Sequence, residues 1–302
     1  MKLLALLIGL IVERLATQLF HWRRLRWLDR LFDFGFRQCE RFANWPPVIP
    51  VVLLAIVMVL PVFVVVLSLG DTLFGFPYLI LAIIVLFFSL GPKDIGEDVD
   101  EYCRAIEADD EQRINAMTKA LIEKDAPADP LERISAVEAA VCVQANNRLF
   151  AVIFWFVLLG PLGAWTYRVT DLVRRRAVFN ASRDDGNTVS QDTVEGTQLL
   201  HGWLAWIPAR LTAIGYAMAG SFEGALSAWR NPQENSPAHL NEQNESLLAR
   251  VGIGALGLHP VEGESNSDRG VRGATAANGL VFRLLFIWAA VIAAMTLYGW
   301  SV

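Results

Sequence analysis

The sequence predicts an all-α, polytopic integral membrane protein, because its charge content is low and its apolar residues form long uncharged runs. Hydrophobic residues make up 54% of the 302 residues and charged residues 19%, with a mean hydropathy of +0.38. Soluble domains average about 25% charged residues. A helix needs about 20 apolar residues to cross a bilayer core of about 30 Å. The composition therefore excludes a disordered chain and disfavours a water-soluble globule.

Three uncharged runs, at 42–70, 72–92 and 284–302, predict full spans over about 48–69, 73–90 and 281–299. Gly70 and Asp71 separate the first two, which indicates a tight hairpin. Pro61 predicts a kink in the first span, since proline removes a helical hydrogen bond. The chain therefore crosses the membrane at least three times.

A fourth run, residues 149–167, is uncharged but contains Gly160 and Pro161 at its middle. Arginine clusters at 21–41 and 168–183 both favour the cytoplasm. If 149–167 crossed fully, the second cluster would lie outside. We therefore expect a broken segment that enters and returns on the cytoplasmic side, with a simple span as the alternative. Broken backbone at membrane depth is tolerated where it lines a cavity or is buried in protein.

Residues 91–146 form an acidic loop with 14 acidic and 6 basic residues. Apolar residues at helical spacing predict two amphipathic helices, separated by DAPADP at 125–130. A loop without a specific role would be a solvated cytoplasmic cap. The alternative is that the loop is a docking surface for a protein partner.

These patterns predict six consecutive parts of the chain. They are 1–45, a short apolar helix and an Arg/Trp-rich interfacial helix; 46–90, the transmembrane hairpin; 91–146, the acidic helical loop; 147–258, a core with broken membrane helices; 259–279, a flexible Gly/Ser/Asn-rich linker; and 280–302, the C-terminal transmembrane helix.

Arg210 is the first candidate for ligand binding. It lies in WIPARLTA at 206–213, between uncharged runs of 14 and 12 residues. An ionisable group at such depth usually faces a cavity, a partner or a bound anion. A guanidinium binds carboxylate or phosphate through two parallel hydrogen bonds. The alternative is an arginine that snorkels from an interfacial helix to the headgroups.

Further candidates lie around the Gly160–Pro161 break. Tyr167 and Arg168 follow it and supply hydrogen-bond donors, unless they belong to the interface belt of a kinked span. Asn146 and Asn147 precede the apolar run and either contribute polar contacts or cap a helix. Asp171 stands three residues after Arg168, so the two can pair on a helix.

Several classes of function lack their signals. The net charge of −5 gives no case for a nucleic-acid partner. The sequence contains no P-loop, no GxGxxG after a predicted strand, no HExxH and no GxSxG motif. Three distant cysteines and four scattered histidines predict neither a disulfide framework nor a zinc site. We therefore expect no cofactor, no metal and no catalytic residue.

Residues 147–168 (NRLFAVIFWFVLLGPLGAWTYR) and 206–213 (WIPARLTA) resemble the CobD/CbiB superfamily of membrane proteins. Ser236–Pro237 and the GALG at 254–257 resemble that family's Ser-Pro-Asn and Gly-Ala-Leu-Gly elements, which adds Ser236 to the candidates. The cobalamin enzymes also carry a Glu-Asn pair that is absent before the Phe-Trp run here, and Ala238 replaces their asparagine. These departures argue against the ATP-dependent amide formation that the resemblance implies.

Within this superfamily the chain resembles the AmpE branch. The shared features are a short opening apolar helix with Glu13–Arg14, an arginine-rich aromatic segment, an apolar hairpin, WIPARL, and a C-terminal span ending near residue 299. The resemblance implies a multi-pass protein of the bacterial inner membrane, linked to β-lactamase regulation, and hence to antibiotic resistance, and to cell-wall recycling.

We expect a non-catalytic signal modulator that binds membrane lipid and, in a cytoplasm-facing cavity, an anionic ligand: a cell-wall fragment, a lipid headgroup or a nucleotide. The alternatives are an amide-forming enzyme of the cobalamin type and a scaffold that holds partners through residues 91–146. The candidate ligand-binding residues are Arg210, Arg168, Tyr167, Asn147, Asn146, Asp171 and Ser236.

Overall fold

The computed structural model describes residues 27–42, 45–69, 76–90, 94–182, 189–231 and 239–298, and the regular elements in these ranges are all helical. The α-helices in chain order are α1 (Trp27–Cys39), α2 (Val48–Leu69), α3 (Phe76–Ser89), α4 (Ile95–Glu107), α5 (Glu111–Ile122), α6 (Pro130–Ala145), α7 (Ala151–Leu159), α8 (Pro161–Ala181), α9 (Gln191–Ala219), α10 (Phe222–Arg230), α11 (Leu240–Leu256) and α12 (Asn266–Leu297). A 3-10 turn, Glu40–Phe42, follows α1, and a π-helix, Asn146–Phe150, joins α6 to α7. The all-α prediction is confirmed. The apolar helix predicted near the N-terminus lies outside the described residues.

Three helical runs of the described chain are long and apolar enough to cross a membrane: Val48–Ser68, Pro130–Leu159 and Asn266–Thr296. The first matches the span predicted at 48–69 to within one residue, and the third covers residues 281–296 of the span predicted at 281–299. The first run exposes many large apolar side chains, as a lipid-facing helix does. They include Leu53, Ile56, Val57, Leu60, Phe63, Val64 and Leu67.

The span predicted at 73–90 is shorter in the structure. Within the described residues, α3 has 14 residues, a length of about 21 Å, against a bilayer core of about 30 Å. Its inner face, with Ala82 and Leu86, is buried in a cluster that includes Phe156 and Ala164 of α7 and α8. The second long run, Pro130–Leu159, instead combines the end of the acidic loop with the first half of the broken segment.

The acidic loop forms three helices rather than two, so that prediction was wrong. The additional break falls at Asp109, whose φ of 52° ends the helical path between α4 and α5. The helices are not a freely solvated cap, because Val99 and Tyr102 of α4 and Val141 of α6 belong to one buried cluster with Ala277 of α12.

The flexible linker predicted at 259–279 is also wrong for residues 266–279, which form the first part of α12. Ser265 caps this helix through a hydrogen bond from the Asp268 amide. The small residues Ala274 and Ala277 are buried against α4 and α6. The Gly/Ala-rich composition therefore serves close helix packing, which sequence patterning does not distinguish from flexibility.

The break predicted at Gly160–Pro161 is confirmed. Gly160 has φ 71° and ψ −154°, a conformation that favours glycine, and Pro161 occupies the first turn of α8. The new helix folds back along α7, and Gly163 packs against the backbone of Trp155. Further along, Arg175 of α8 reaches Gln144 of α6. The two halves therefore form an antiparallel helical hairpin.

A group of hydrogen bonds holds α1 against the end of α8. Asp33 accepts hydrogen bonds from Arg176 at 2.8 and 2.7 Å and from Asn180 at 2.8 Å. Phe32 and Phe36 of α1 are buried beside this contact. The hydrogen bond from Arg176 outweighs burial and holds the pKa of Asp33 below its ordinary value of 3.8.

We expect Gly163→Ala to destabilise the α7–α8 hairpin by about 1–3 kcal/mol, because a methyl group there overlaps the carbonyl oxygen of Trp155. Gly279→Ala in α12 is the matched control, since nothing lies within 4 Å of its added carbon. Thermal denaturation in detergent measures both. An equal melting temperature for the two variants would contradict the close packing.

The Asp33 contact predicts a defined pH dependence. A lowered pKa in the folded state means that the carboxylate stabilises at neutral pH and that this stabilisation is lost as the pH falls through the lowered pKa. The stability difference between the wild type and Asp33→Asn should thus shrink below about pH 4. Melting temperatures over a pH series test this, and a constant difference would refute it.

Candidate functional site

A buried network of charged side chains surrounds Asp171 on α8. The carboxylate of Asp171 is fully buried and accepts hydrogen bonds from three arginines. The donors are Nη1 of Arg168 at 3.1 Å, Nη2 of Arg174 at 3.1 Å and Nε of Arg175 at 2.8 Å. Their i−3, i+3 and i+4 spacing places all three on one helix face with Asp171. The pairing predicted for Arg168 and Asp171 is confirmed and is part of a larger cluster.

His201 connects this cluster to two other helices. Its Nε2 lies 3.2 Å from the Tyr167 hydroxyl and 3.7 Å from Oδ1 of Asp171, and its Nδ1 lies 2.5 Å from Oδ1 of Asn241 on α11. The amide nitrogen of Asn241 donates to Glu245 at 3.0 Å, so its oxygen faces the histidine. Nδ1 therefore carries the hydrogen of this contact, and Nε2 faces the Tyr167 hydroxyl.

Asn146 and Asn147 join the network through the π-helix. Asn146 donates to Oδ1 of Asn147 at 3.1 Å and accepts from Thr212 of α9 at 3.0 Å. The Tyr167 hydroxyl lies 3.4 Å from the same Asn147 oxygen. The π-helix has no side-chain capping bond, and the helix continues through it. The capping alternative is therefore wrong. Such π-turns are rare and occur often at functional sites.

Carboxylates at the edge of the network balance its arginines. Glu123, which follows α5, pairs with Arg175 and stands 3.6 Å from Arg174. Burial would raise the pKa of Glu123, but Arg175 and Arg174 outweigh that effect and hold the pKa below its ordinary value. Nearby, Arg148 donates to Asp98 at 2.8 Å. The arginines are thus most concentrated deep in the network, around Asp171.

Three buried donors of the network have no hydrogen-bond partner: Nε of Arg168, Nε of Arg174 and Nδ2 of Asn147. An unsatisfied buried donor costs about 1–3 kcal/mol. Oxygen acceptors of water or of an anionic ligand would satisfy these groups. The three donors are therefore candidate contacts for such a ligand.

Arg210 lies at a different place. Its guanidinium is half-buried on α9, 4.0 Å from the ring centroid of Trp206, and donates to the Trp206 carbonyl at 2.9 Å and to Asn244 of α11 at 3.0 Å. It stands nine residues, about 13 Å, along α9 from His201. The structure thus brings together Asn146, Asn147, Tyr167, Arg168 and Asp171 and places Arg210 further along the seam between α9 and α11. Ser236 lies outside the described residues.

Sequence reasoning missed several members of the network, namely Glu123, Arg174, Arg175, His201 and Asn241. The spacing of Arg174 and Arg175 from Asp171 is a usable signal, but these two arginines are interpreted above only as a sign of membrane orientation. The positions of His201 and Asn241 depend on which helices become neighbours.

The fold and this network define an all-α membrane protein with a buried charged site. The family model described as "Regulatory signalling modulator protein AmpE" matches residues 1–302, and the chain belongs to the AmpE family. The curated "Protein AmpE" of Shigella flexneri is 25% identical over 303 residues, 99% of both chains.

Two further relatives are described as "Cobalamin biosynthesis protein CobD". The protein from Stutzerimonas stutzeri (strain A1501) is 25% identical over 58% of this chain, and that from Chromobacterium violaceum is 24% identical over 60%. The matches cover 55% of each relative, so the chain spans about half the length of these two proteins. No solved structure matches the chain.

We expect Asp171→Asn to destabilise the protein by about 3–5 kcal/mol, because it leaves buried arginines without their carboxylate. Asp125→Asn is the control: its ion pair with Lys119 is exposed and should contribute little. Thermal denaturation of both variants in detergent checks this. Equal stability would show that Asp171 does not hold the network together.

Proposed function

We propose that this protein is a non-catalytic regulator of the bacterial inner membrane that binds an anionic small ligand in the network around Asp171. Two findings support the proposal. The family is described as a regulatory signalling modulator, and the network contains three buried donors that lack acceptors. The unpaired donors carry the proposal, because a closed structural ion cluster would normally satisfy them.

The ligand we propose supplies carboxylate or phosphate oxygens. Arg168 and Arg174 each have a free Nε, and guanidinium groups bind such oxygens through charge-assisted hydrogen bonds. A cell-wall fragment, a lipid headgroup or a nucleotide has this chemistry. We keep Arg210 as a second anion contact, since its guanidinium is half-exposed at the α9–α11 seam.

We further propose that ligand binding modulates β-lactamase production in response to cell-wall recycling, with most loops in the cytoplasm. The route would be mechanical, because the network connects α6, α8, α9 and α11 through direct hydrogen bonds. Glu123 and Asp98 connect it to the acidic helices α4 and α5, which we propose as the docking surface for a protein partner.

A strain that lacks the gene tests this function by complementation. We expect Arg174→Gln to abolish the modulation of β-lactamase activity under an inducer, because it removes an unpaired donor and a charge from the network. Arg230→Gln on the exposed face of α10, outside the network and the proposed docking surface, is the matched control and should behave as the wild type. Immunoblots of the membrane fraction must show equal accumulation.

A scaffold would give the opposite result, with full modulation retained by both Arg174→Gln and Arg210→Gln. The reason is that neither substitution changes the partner surface on α4 and α5. Normal function of both variants at normal accumulation would contradict ligand binding and favour the scaffold.

The CobD relatives favour an enzyme as the second candidate. By resemblance to the CobD/CbiB superfamily, this activity would be ATP-dependent amide formation. An assay of ATP turnover by the purified protein, with magnesium and a corrinoid acid, distinguishes this enzyme from the non-catalytic regulator. Turnover that Arg174→Gln removes would establish the enzyme, and the absence of turnover would exclude this reaction.

A further inference from the structure

Glu123 adopts an unusual conformation next to the arginines. It follows α5 with φ 60° and ψ 19°, the left-handed region, and is one of two non-glycine residues with positive φ in the described chain. This conformation costs a residue with a side chain about 1 kcal/mol or more. It turns the carboxylate inward, onto Arg174 and Arg175. The ion pairs therefore compensate for a strained backbone.

The two arginines do not need Glu123 to hold their positions. Both donate to Asp171, at 3.1 and 2.8 Å, and Arg175 also donates to Gln144 at 2.9 Å. Gln144 in turn donates to the Leu121 carbonyl at 3.2 Å. If the Glu123 side chain left, two guanidinium groups would remain side by side in a fixed arrangement.

Removal of this carboxylate would leave an excess of positive charge. Three arginines then face two carboxylates, Asp171 and, 3.9 Å from Arg174, Glu245, which leaves a net charge of +1. A site of this composition binds a small anion with two or more oxygens. Glu123 supplies such a group from within the chain.

The segment that carries Glu123 has room to move. Residues 124–129 form a connection on the surface between α5 and α6, and Lys124, Asp125 and Asp129 are exposed. One side of this segment borders an open groove of about 640 Å³, lined in part by Asp125, Pro127 and Arg133. Movement of the segment into the groove would open the arginine pair to solvent.

We infer that the Glu123 carboxylate occupies the Arg174–Arg175 side of the anion site as an internal stand-in, and that a phosphate- or carboxylate-bearing ligand displaces it and moves the segment 123–129 outward. This inference rests on the proposed function, in which the network binds an anion. It adds a regulatory step: the occupied site changes the acidic surface next to α5.

Binding of inorganic phosphate to full-length protein in phosphatidylcholine nanodiscs tests the inference. We expect Glu123→Gln to bind phosphate about tenfold more tightly than the wild type, which corresponds to about 1.4 kcal/mol of competition removed. Glu132→Gln, an exposed glutamate on α6, is the matched control and should not change the affinity. Titration calorimetry measures all three proteins.

A second variant controls for a folding defect in Glu123→Gln. Glu123→Gly also removes the carboxylate, and glycine adopts the left-handed conformation without strain. We expect it to bind phosphate as tightly as Glu123→Gln. Hydrogen exchange of residues 122–129 should rise when phosphate is added to the wild type and should be high in both Glu123 variants without phosphate.

The outcomes separate this inference from the proposed function. If the wild type binds phosphate and Arg174→Gln does not, but the Glu123 variants keep the wild-type affinity, the stand-in is refuted and the anion site stands. If neither the wild type nor the Glu123 variants bind phosphate, both are overturned for this ligand. Phosphate binding by the Glu123 variants but not by the wild type supports both the stand-in and the anion site.

Discussion

The burial of arginine side chains around Asp171 is the constraint on which the centre of this fold depends. Removing a guanidinium from water is expensive, and the cost is offset only by good pairing. Asp171 provides that pairing for three arginines from its own helix. Side chains of α6, α9 and α11 then complete the surroundings, so the network also sets which helices become neighbours. Core packing alone would tolerate several arrangements of such apolar helices.

The uncharged runs and the positions of glycine and proline were enough to predict part of this fold. The uncharged runs predicted the helices α2 and α12, and Gly160–Pro161 predicted the break between α7 and α8. These features depend on local chemistry: chain length against bilayer thickness, and a backbone conformation that few residues adopt. The wrong linker prediction also arose from local sequence composition. The Gly/Ala-rich start of α12 has the composition of a linker, and its close packing shows only when α4 and α6 lie against it.

The candidate site was predictable to a smaller extent. Tyr167, Arg168, Asn147 and Asp171 followed from their position near the break, and they do lie together. Arg210 was ranked first because of its depth in an apolar run, yet in the structure it stacks on Trp206 at the α9 surface. Depth along a sequence does not specify which face of a helix a residue occupies. Glu123 comes from a loop distant in sequence, and no pattern in the chain connects it to Arg175.

The length of α12 has a mechanical consequence. It runs for 32 residues without a break, about 48 Å, so its apolar half and the half that packs on the acidic helices form one rod. Transmembrane helices tilt when hydrocarbon thickness and helix length differ. Arg269 on this rod pairs with Glu138 on α6, and α6 leads directly into the asparagines of the π-helix. The apolar half of α12 is thereby joined to the polar centre of the protein through one continuous helix and one ion pair.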